Sequence, residues 1–144
     1  MTFCALSSAK GMDIKMVGIA VISHGGLCEG ILDSVSMVAG TMEQTESVSL
    51  KPGVSPDTYK EELRETIQRL DTGDGVVVFV DLMGGTPFNT ICMLSEELNV
   101  HIVTGLNMAM LITAALQKSD EITMDELAIL CEQAGTEGIK TLKR

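Results

Sequence analysis

Val76-Val77-Val78-Phe79-Val80 runs directly into Asp81-Leu82-Met83-Gly84-Gly85-Thr86-Pro87-Phe88-Asn89. Five apolar residues without polar alternation predict a strand covered on both faces. An acid ends the run, a glycine pair turns the chain, and Thr86-Pro87 predicts a hydroxyl cap followed by proline at the first helical position. Some sixty residues earlier, Val17-Gly18-Ile19-Ala20-Val21-Ile22 runs into Ser23-His24-Gly25-Gly26 in the same way. Two such strands lying side by side in a parallel sheet bring His24 and Asp81 together at its carboxyl edge.

The rest of the chain alternates strand and helix. Leu27, Ile31, Val35 and Val38 recur at helical spacing, with Gly40 just past the end. Ser47 to Leu50 is a short, weakly signalled second strand. Ser55 caps a helix with Pro56 at its first position, running to about Leu70, and 71–75 is turn chemistry. A helix from Thr86 to about Leu98 precedes a fourth strand, Val100 to Val103. Asn107 to Gln117 reads as a helix, and Thr123-Met124-Asp125-Glu126 is a capping box opening another that Gly135 ends. Ile139 to Leu142 fits a short strand or a frayed helical turn equally well. Strands spaced by helices imply a single-domain α/β/α sandwich with a four-stranded parallel sheet. Its binding crevice lies beyond the carboxyl ends of the strands.

Composition narrows the function classes. At 144 residues, 45 % hydrophobic and 3 % aromatic, the chain suits one domain with an aliphatic, methionine-bearing core. A net charge of −10 argues against a nucleic-acid surface. No apolar run approaches the roughly 20 residues that span a bilayer, and Met1 to Lys15 lacks the layout of a signal peptide. Residues 1–15 are read as a loosely attached extension, upstream of a natural start at Met12 or Met16, and 16–144 as the domain. Cys4, Cys28, Cys92 and Cys131 have no metal-type spacing and read as buried free thiols in a reducing cytoplasm. No metal site and no cofactor is expected, and no P-loop is present.

The carboxyl edge carries the chemistry. Imidazole accepts and releases a group near neutral pH. A carboxylate on one ring nitrogen fixes the tautomer, frees the other nitrogen, and stabilises the positive ring formed during transfer. Gly25-Gly26 and Gly84-Gly85-Thr86 offer main-chain N–H groups at two helix N-termini, where anions are favoured. Such a set suits phosphoryl transfer, which needs chiefly positioning and charge stabilisation. Taken singly, each element has a plainer explanation: His24 as a loop residue, Asp81 as a turn cap, Thr86-Pro87 as helix initiation. Their convergence on one edge carries the functional reading. His101, at a strand start away from glycine loops, is assigned an exposed or packing role. Asn107 to Leu111 is read as a loop wall or core filler, and Glu61, Glu62 and Glu65 as a solvated helix face.

Ser23-His24-Gly25 together with Val80 to Asn89 resembles the mannose-type IIA component of the bacterial sugar phosphotransferase system. Gly105-Leu106-Asn107-Met108-Ala109-Met110-Leu111 and Glu137-Gly138-Ile139-Lys140 extend the resemblance, which covers about residues 16 to 143. Thr86 stands where a serine is frequent, and Leu82-Met83 replaces other apolar or aromatic pairs. The resemblance implies that His24 accepts a phosphoryl group from the phosphocarrier protein HPr and passes it to a IIB component. A membrane permease would bring in the sugar. Asp81 would orient the histidine, and Thr86 would place a hydroxyl near the phosphate. It further implies a cytoplasmic homodimer in which a C-terminal antiparallel strand is exchanged between subunits. With no further domain in the sequence, a free-standing IIA protein is expected. Two other readings share the fold: a phosphodonor subunit for dihydroxyacetone kinase, and a regulatory module controlled by phosphorylation.

Overall fold

The computed structural model describes residues 16–144; the reading of 1–15 as an extension, and Cys4 within it, lie outside those residues. Four strands form one wholly parallel sheet: β1 (Gly18–His24), β2 (Thr45–Leu50), β3 (Val76–Val80) and β4 (Val100–Thr104), in the order β2-β1-β3-β4. Five helices connect and cover them: α1 (Leu27–Ala39), α2 (Pro56–Leu70), α3 (Gly85–Leu94), α4 (Met108–Gln117) and α5 (Met124–Glu137). The two continuous apolar runs are the two central strands, as residues covered on both faces require. The half-polar runs β2 and β4 are the edges.

Alternation along the strands divides the core into two layers. Ile19, Val21, Val77, Phe79 and Val103 face α1, α4 and α5, meeting Val35, Leu111, Ala114, Leu127 and Cys131. Ala20, Ile22, Val76, Val78 and Val80 face α2 and α3, meeting Tyr59, Leu63, Ile67, Ile91 and Leu94. The expected three-layer sandwich is therefore present, built almost wholly from aliphatic side chains. Among the described residues the cysteines are free; Cys28 and Cys131 are buried, but Cys92 on α3 is only half-buried, so the buried reading fails there.

Several boundaries follow the chemistry read from sequence. The Ser55 side chain accepts the Thr58 N–H ahead of Pro56. Thr123 and Glu126 close the capping box reciprocally, at 3.1 and 3.0 Å. Asn107 is not the first residue of α4 but its cap, accepting the Met110 N–H at 3.0 Å.

Two expectations are corrected. Gly135 does not end α5, which continues to Glu137. A Cβ there would stand 2.6 Å from the Met110 Cγ and 3.3 Å from the Asn107 Nδ2, so this glycine lets α5 lie close against α4. The helix from Thr86 to Leu98 instead begins at Gly85 and ends at Leu94, followed by single turns to Leu98. The tail beyond Gly138 forms neither strand nor helix in the single chain, and Ile139 and Leu142 are exposed.

Gly135→Ala tests the helix–helix contact. Alanine gains roughly 1 kcal/mol in helix propensity against an overpacking cost of about 1–3 kcal/mol. A net loss of about 1 kcal/mol is expected in urea unfolding; a more stable variant would show that α4 and α5 do not meet at this residue.

Candidate active site

β1 and β3 are hydrogen-bonded neighbours, with Ile22 opposite Val80. Asp81 leaves β3 directly after that pair, while β1 runs on beside β2 with Ser23 opposite Ser49 and His24 opposite Leu50, and the Asp81 N–H still donates to the Ile22 carbonyl at 3.2 Å. His24 and Asp81 are thereby brought face to face. Asp81 Oδ2 lies 2.7 Å from His24 Nδ1 and also accepts the His24 main-chain N–H at 2.9 Å. Asp81 Oδ1 accepts the Leu82 N–H at 2.9 Å. The carboxylate side chain is 7 % exposed and the imidazole 48 % exposed, so the acid is sheltered while the ring reaches solvent.

Burial by itself would push the Asp81 carboxyl up. The His24 main-chain N–H, the His24 ring and the Leu82 N–H together outweigh it and hold the group below its ordinary value. An ionised carboxylate only accepts, so His24 Nδ1 must carry the hydrogen, and Nε2 keeps its lone pair.

The free edge of the ring meets the start of α3. A Cβ on Gly85 would lie 3.0 Å from His24 Cε1 and 3.3 Å from Nε2, so only glycine lets this main chain approach the ring. Gly84 and Gly85 have φ of 83° and 84°, in the left-handed region, which is why the helix can open at the glycine pair. Gly84 is the N-cap and makes no side-chain capping bond. Thr86 is therefore not the predicted cap but the second helical residue, with Pro87 third. The first N–H groups of a helix have no partner within it, and Pro87 has none to offer. The open donors at this end are those of Gly85 and Thr86, and the exposed Thr86 hydroxyl stands beside them. On the other side, Gly26 caps α1 without a side-chain bond, and Gly25 (φ 56°) gives its N–H to Leu50 at 2.8 Å. His24 thus meets Asp81 on one side and the Gly85 main chain on the other, with Gly25, Gly26, Gly84 and Thr86 adjoining them along the chain.

Two further groups escaped the sequence reading. Ser23, wholly buried, accepts the Cys28 N–H at 2.9 Å and donates to the Gly25 carbonyl at 3.1 Å. A lone hydroxyl at the end of an apolar run was the available signal. Leu106 donates its N–H to the Val80 carbonyl at 3.0 Å, pinning the β4–α4 loop beside Asp81. The apolar side chains of Leu27, Leu82 and Met83 rim this edge and are at least half exposed.

His101 forms the other histidine–carboxylate pair, with Nδ1 2.8 Å from Asp125 Oδ1. It sits at the amino end of β4, and its acid is 71 % exposed. A solvated pair of this kind is worth little, which sets it apart from the sheltered Asp81. Among the described residues no group of three or more His, Cys, Asp or Glu side chains could hold a metal ion, and no helix is long and apolar enough to cross a membrane.

A family model described as "PTS system fructose IIA component" (PTS, phosphotransferase system) matches residues 18–130. The mannose-specific EIIAB component of Escherichia coli K12 is 30 % identical over 128 residues, 88 % of this chain and 40 % of that protein. The chain thus spans well under half the length of that curated relative. Among solved structures, a mannose/sorbose-specific IIA subunit from Enterococcus faecalis is 28 % identical with a TM-score of 0.79, covering 89 % of this chain and 96 % of that one. The phosphotransferase component EIIA from Streptococcus agalactiae is 30 % identical with a TM-score of 0.72, covering 88 % and 97 %.

The Asp81 carboxylate gives a signed pH dependence. Its folded value lies below the ordinary 3.8, so its contribution to stability is fully present above about pH 4 and is lost as pH falls through the folded value. The stability difference between wild type and Asp81→Asn should therefore be largest near neutrality and shrink steadily below pH 4. A difference that is flat with pH in denaturant titrations would contradict this.

Proposed function

The chain belongs to the mannose/fructose-type IIA family of the sugar phosphotransferase system, and from that membership we propose that it relays a phosphoryl group on Nε2 of His24. The observation that carries the proposal is the 2.7 Å contact between His24 Nδ1 and the sheltered Asp81 carboxylate. With Nδ1 committed to Asp81, Nε2 is the nitrogen left to attack.

The donor is the phosphorylated form of HPr and the acceptor is a IIB component. The Nε2 lone pair forms the new N–P bond as the bond between phosphorus and the donor's nitrogen breaks. The positive charge that develops on the ring is stabilised by Asp81, which keeps its hydrogen bond to Nδ1–H. The Gly85 and Thr86 N–H groups, the Thr86 hydroxyl and the α3 dipole suit the phosphoryl oxygens. The reverse sequence delivers the group to IIB, so the protein is regenerated without a cofactor. Gly25 and Gly26 complete the loop beneath the ring. The protein works in the cytoplasm, beside the sugar permease that its IIB partner serves.

The same reading includes a homodimer. β4 is an edge strand whose outer rim is unpaired among the described residues, and a groove of about 300 Å3 runs beside it, lined by His101, Ile102, Val103, Thr104, Ala128 and Glu132. The tail offers exposed Ile139 and Leu142 to such an edge, and exchange of this segment between two copies as an antiparallel strand would cover both.

Incubation with phosphoenolpyruvate, enzyme I and HPr should leave acid-labile phosphate on His24. His24→Ala should abolish it, and Asp81→Asn should slow transfer by roughly 10²–10⁴-fold, the range typical of lost proton or tautomer control. Undiminished phosphate on His24→Ala would refute the assignment. Truncation after Gly138 should convert the dimer to monomer in light-scattering measurements while far-ultraviolet circular dichroism stays unchanged; a monomeric full-length chain would exclude strand exchange.

A further inference from the structure

We infer that Ser23 is a positioning residue for His24, holding the elbow that aims the imidazole; the inference rests on the relay reading above. Ser23 is the one polar residue among the buried positions of β1, and it is wholly buried. A hydroxyl in such a place is costly unless bonded. This one is bonded twice, and both bonds close over His24. Its Oγ–H donates to the Gly25 carbonyl at 3.1 Å, and the same oxygen accepts the buried Cys28 N–H at 2.9 Å. The residue after the histidine is thereby tied to the first turn of α1.

Other main-chain bonds complete the clamp. The His24 N–H is held by Asp81 Oδ2 at 2.9 Å, and the Gly25 N–H by the Leu50 carbonyl at 2.8 Å. Gly25 bends the chain with φ 56°. The imidazole itself is half exposed and makes a single hydrogen bond among the described residues, the 2.7 Å contact to Asp81. Its direction is therefore set by the peptides on either side, and among the described residues the Ser23 hydroxyl is the only side chain that ties Gly25 to α1. Without it the Cys28 N–H loses its acceptor inside the protein. The elbow can then relax, and the ring drifts from Asp81 on one side and Gly85 on the other. Misplacing a reacting atom by about 1 Å costs on the order of 10²-fold in rate.

The test compares wild type with Ser23→Ala and Ser23→Thr, using HPr phosphorylated by phosphoenolpyruvate and enzyme I as the probe. Ser23→Ala should lower kcat at least tenfold and leave KM for phospho-HPr within about twofold, because the Leu27, Leu82 and Met83 rim is untouched. Ser23→Thr, which keeps the hydroxyl, should restore kcat to within about twofold. In ¹⁵N-resolved spectra the His24 Nδ1–H signal should weaken or vanish in the alanine variant, with the His101 ring as reference. If the alanine variant does not fold, Ser23→Cys keeps the volume with weaker bonds and should show a smaller kcat loss at the same KM. Wild-type kcat in the variant that folds, or a loss of rate with an unchanged His24 Nδ1–H signal, would overturn the inference. Failure of the relay reading is separable: it would appear as undiminished phosphate on His24→Ala, while the ring spectrum tests Ser23 regardless.

Discussion

A single carboxylate oxygen organises this site. Asp81 Oδ2 takes both the main-chain N–H and the ring nitrogen of His24, while its partner oxygen takes the Leu82 N–H. The acid thus fixes the histidine's backbone and its ring at once, and is itself fixed by the chain that follows it. Three hydrogen bonds converge on a nearly buried group, whose ionised form they favour against the cost of burial. A proton on Oδ2 would remove an acceptor from both contacts to His24. The tautomer of the ring, and so the nitrogen it presents, depends on that one charge.

The fold exists to make that meeting exact in register. β1 and β3 lie side by side with both faces covered by aliphatic layers, so neither strand can slip by a residue without turning its apolar set to the wrong layer. Close-packed interiors deform little, and the carboxyl edge inherits that stiffness. Leu106, bonded to Val80, and Gly25, bonded to Leu50, carry it outward to the loops. Of the bonded pair, only the imidazole reaches well into solvent.

Much of this was legible in the residues. The uninterrupted apolar runs identified the two central strands, and two polar groups placed just beyond them had to share an edge. The capping signatures at Ser55 and Thr123 were local chemistry and appeared where they were read. Two of the failures have a common origin in glycine and proline, whose local signals are ambiguous. Thr86-Pro87 has the form of a cap and first helical residue, yet proline is equally tolerated at the third position, where its missing N–H has no partner to lose. Gly135 has the form of a terminator but answers to Met110 on another helix, a contact no local pattern reveals. Ser23 was given no role because its bonds run to residues ahead of it, Gly25 and Cys28. The tail past Gly138 stayed ambiguous because no strand among the described residues of its own chain pairs with it.

The approach of Gly85 to the imidazole divides the labour within one short loop. At Gly85 any side chain collides with the ring, whereas Leu82 and Met83, two or three positions earlier, send theirs into solvent. Mutation at the first kind of position is punished by the chemistry; at the second it alters only what an approaching surface feels. Descendants of such a domain are free to change whom they recognise, letter by letter, without renegotiating how the histidine works.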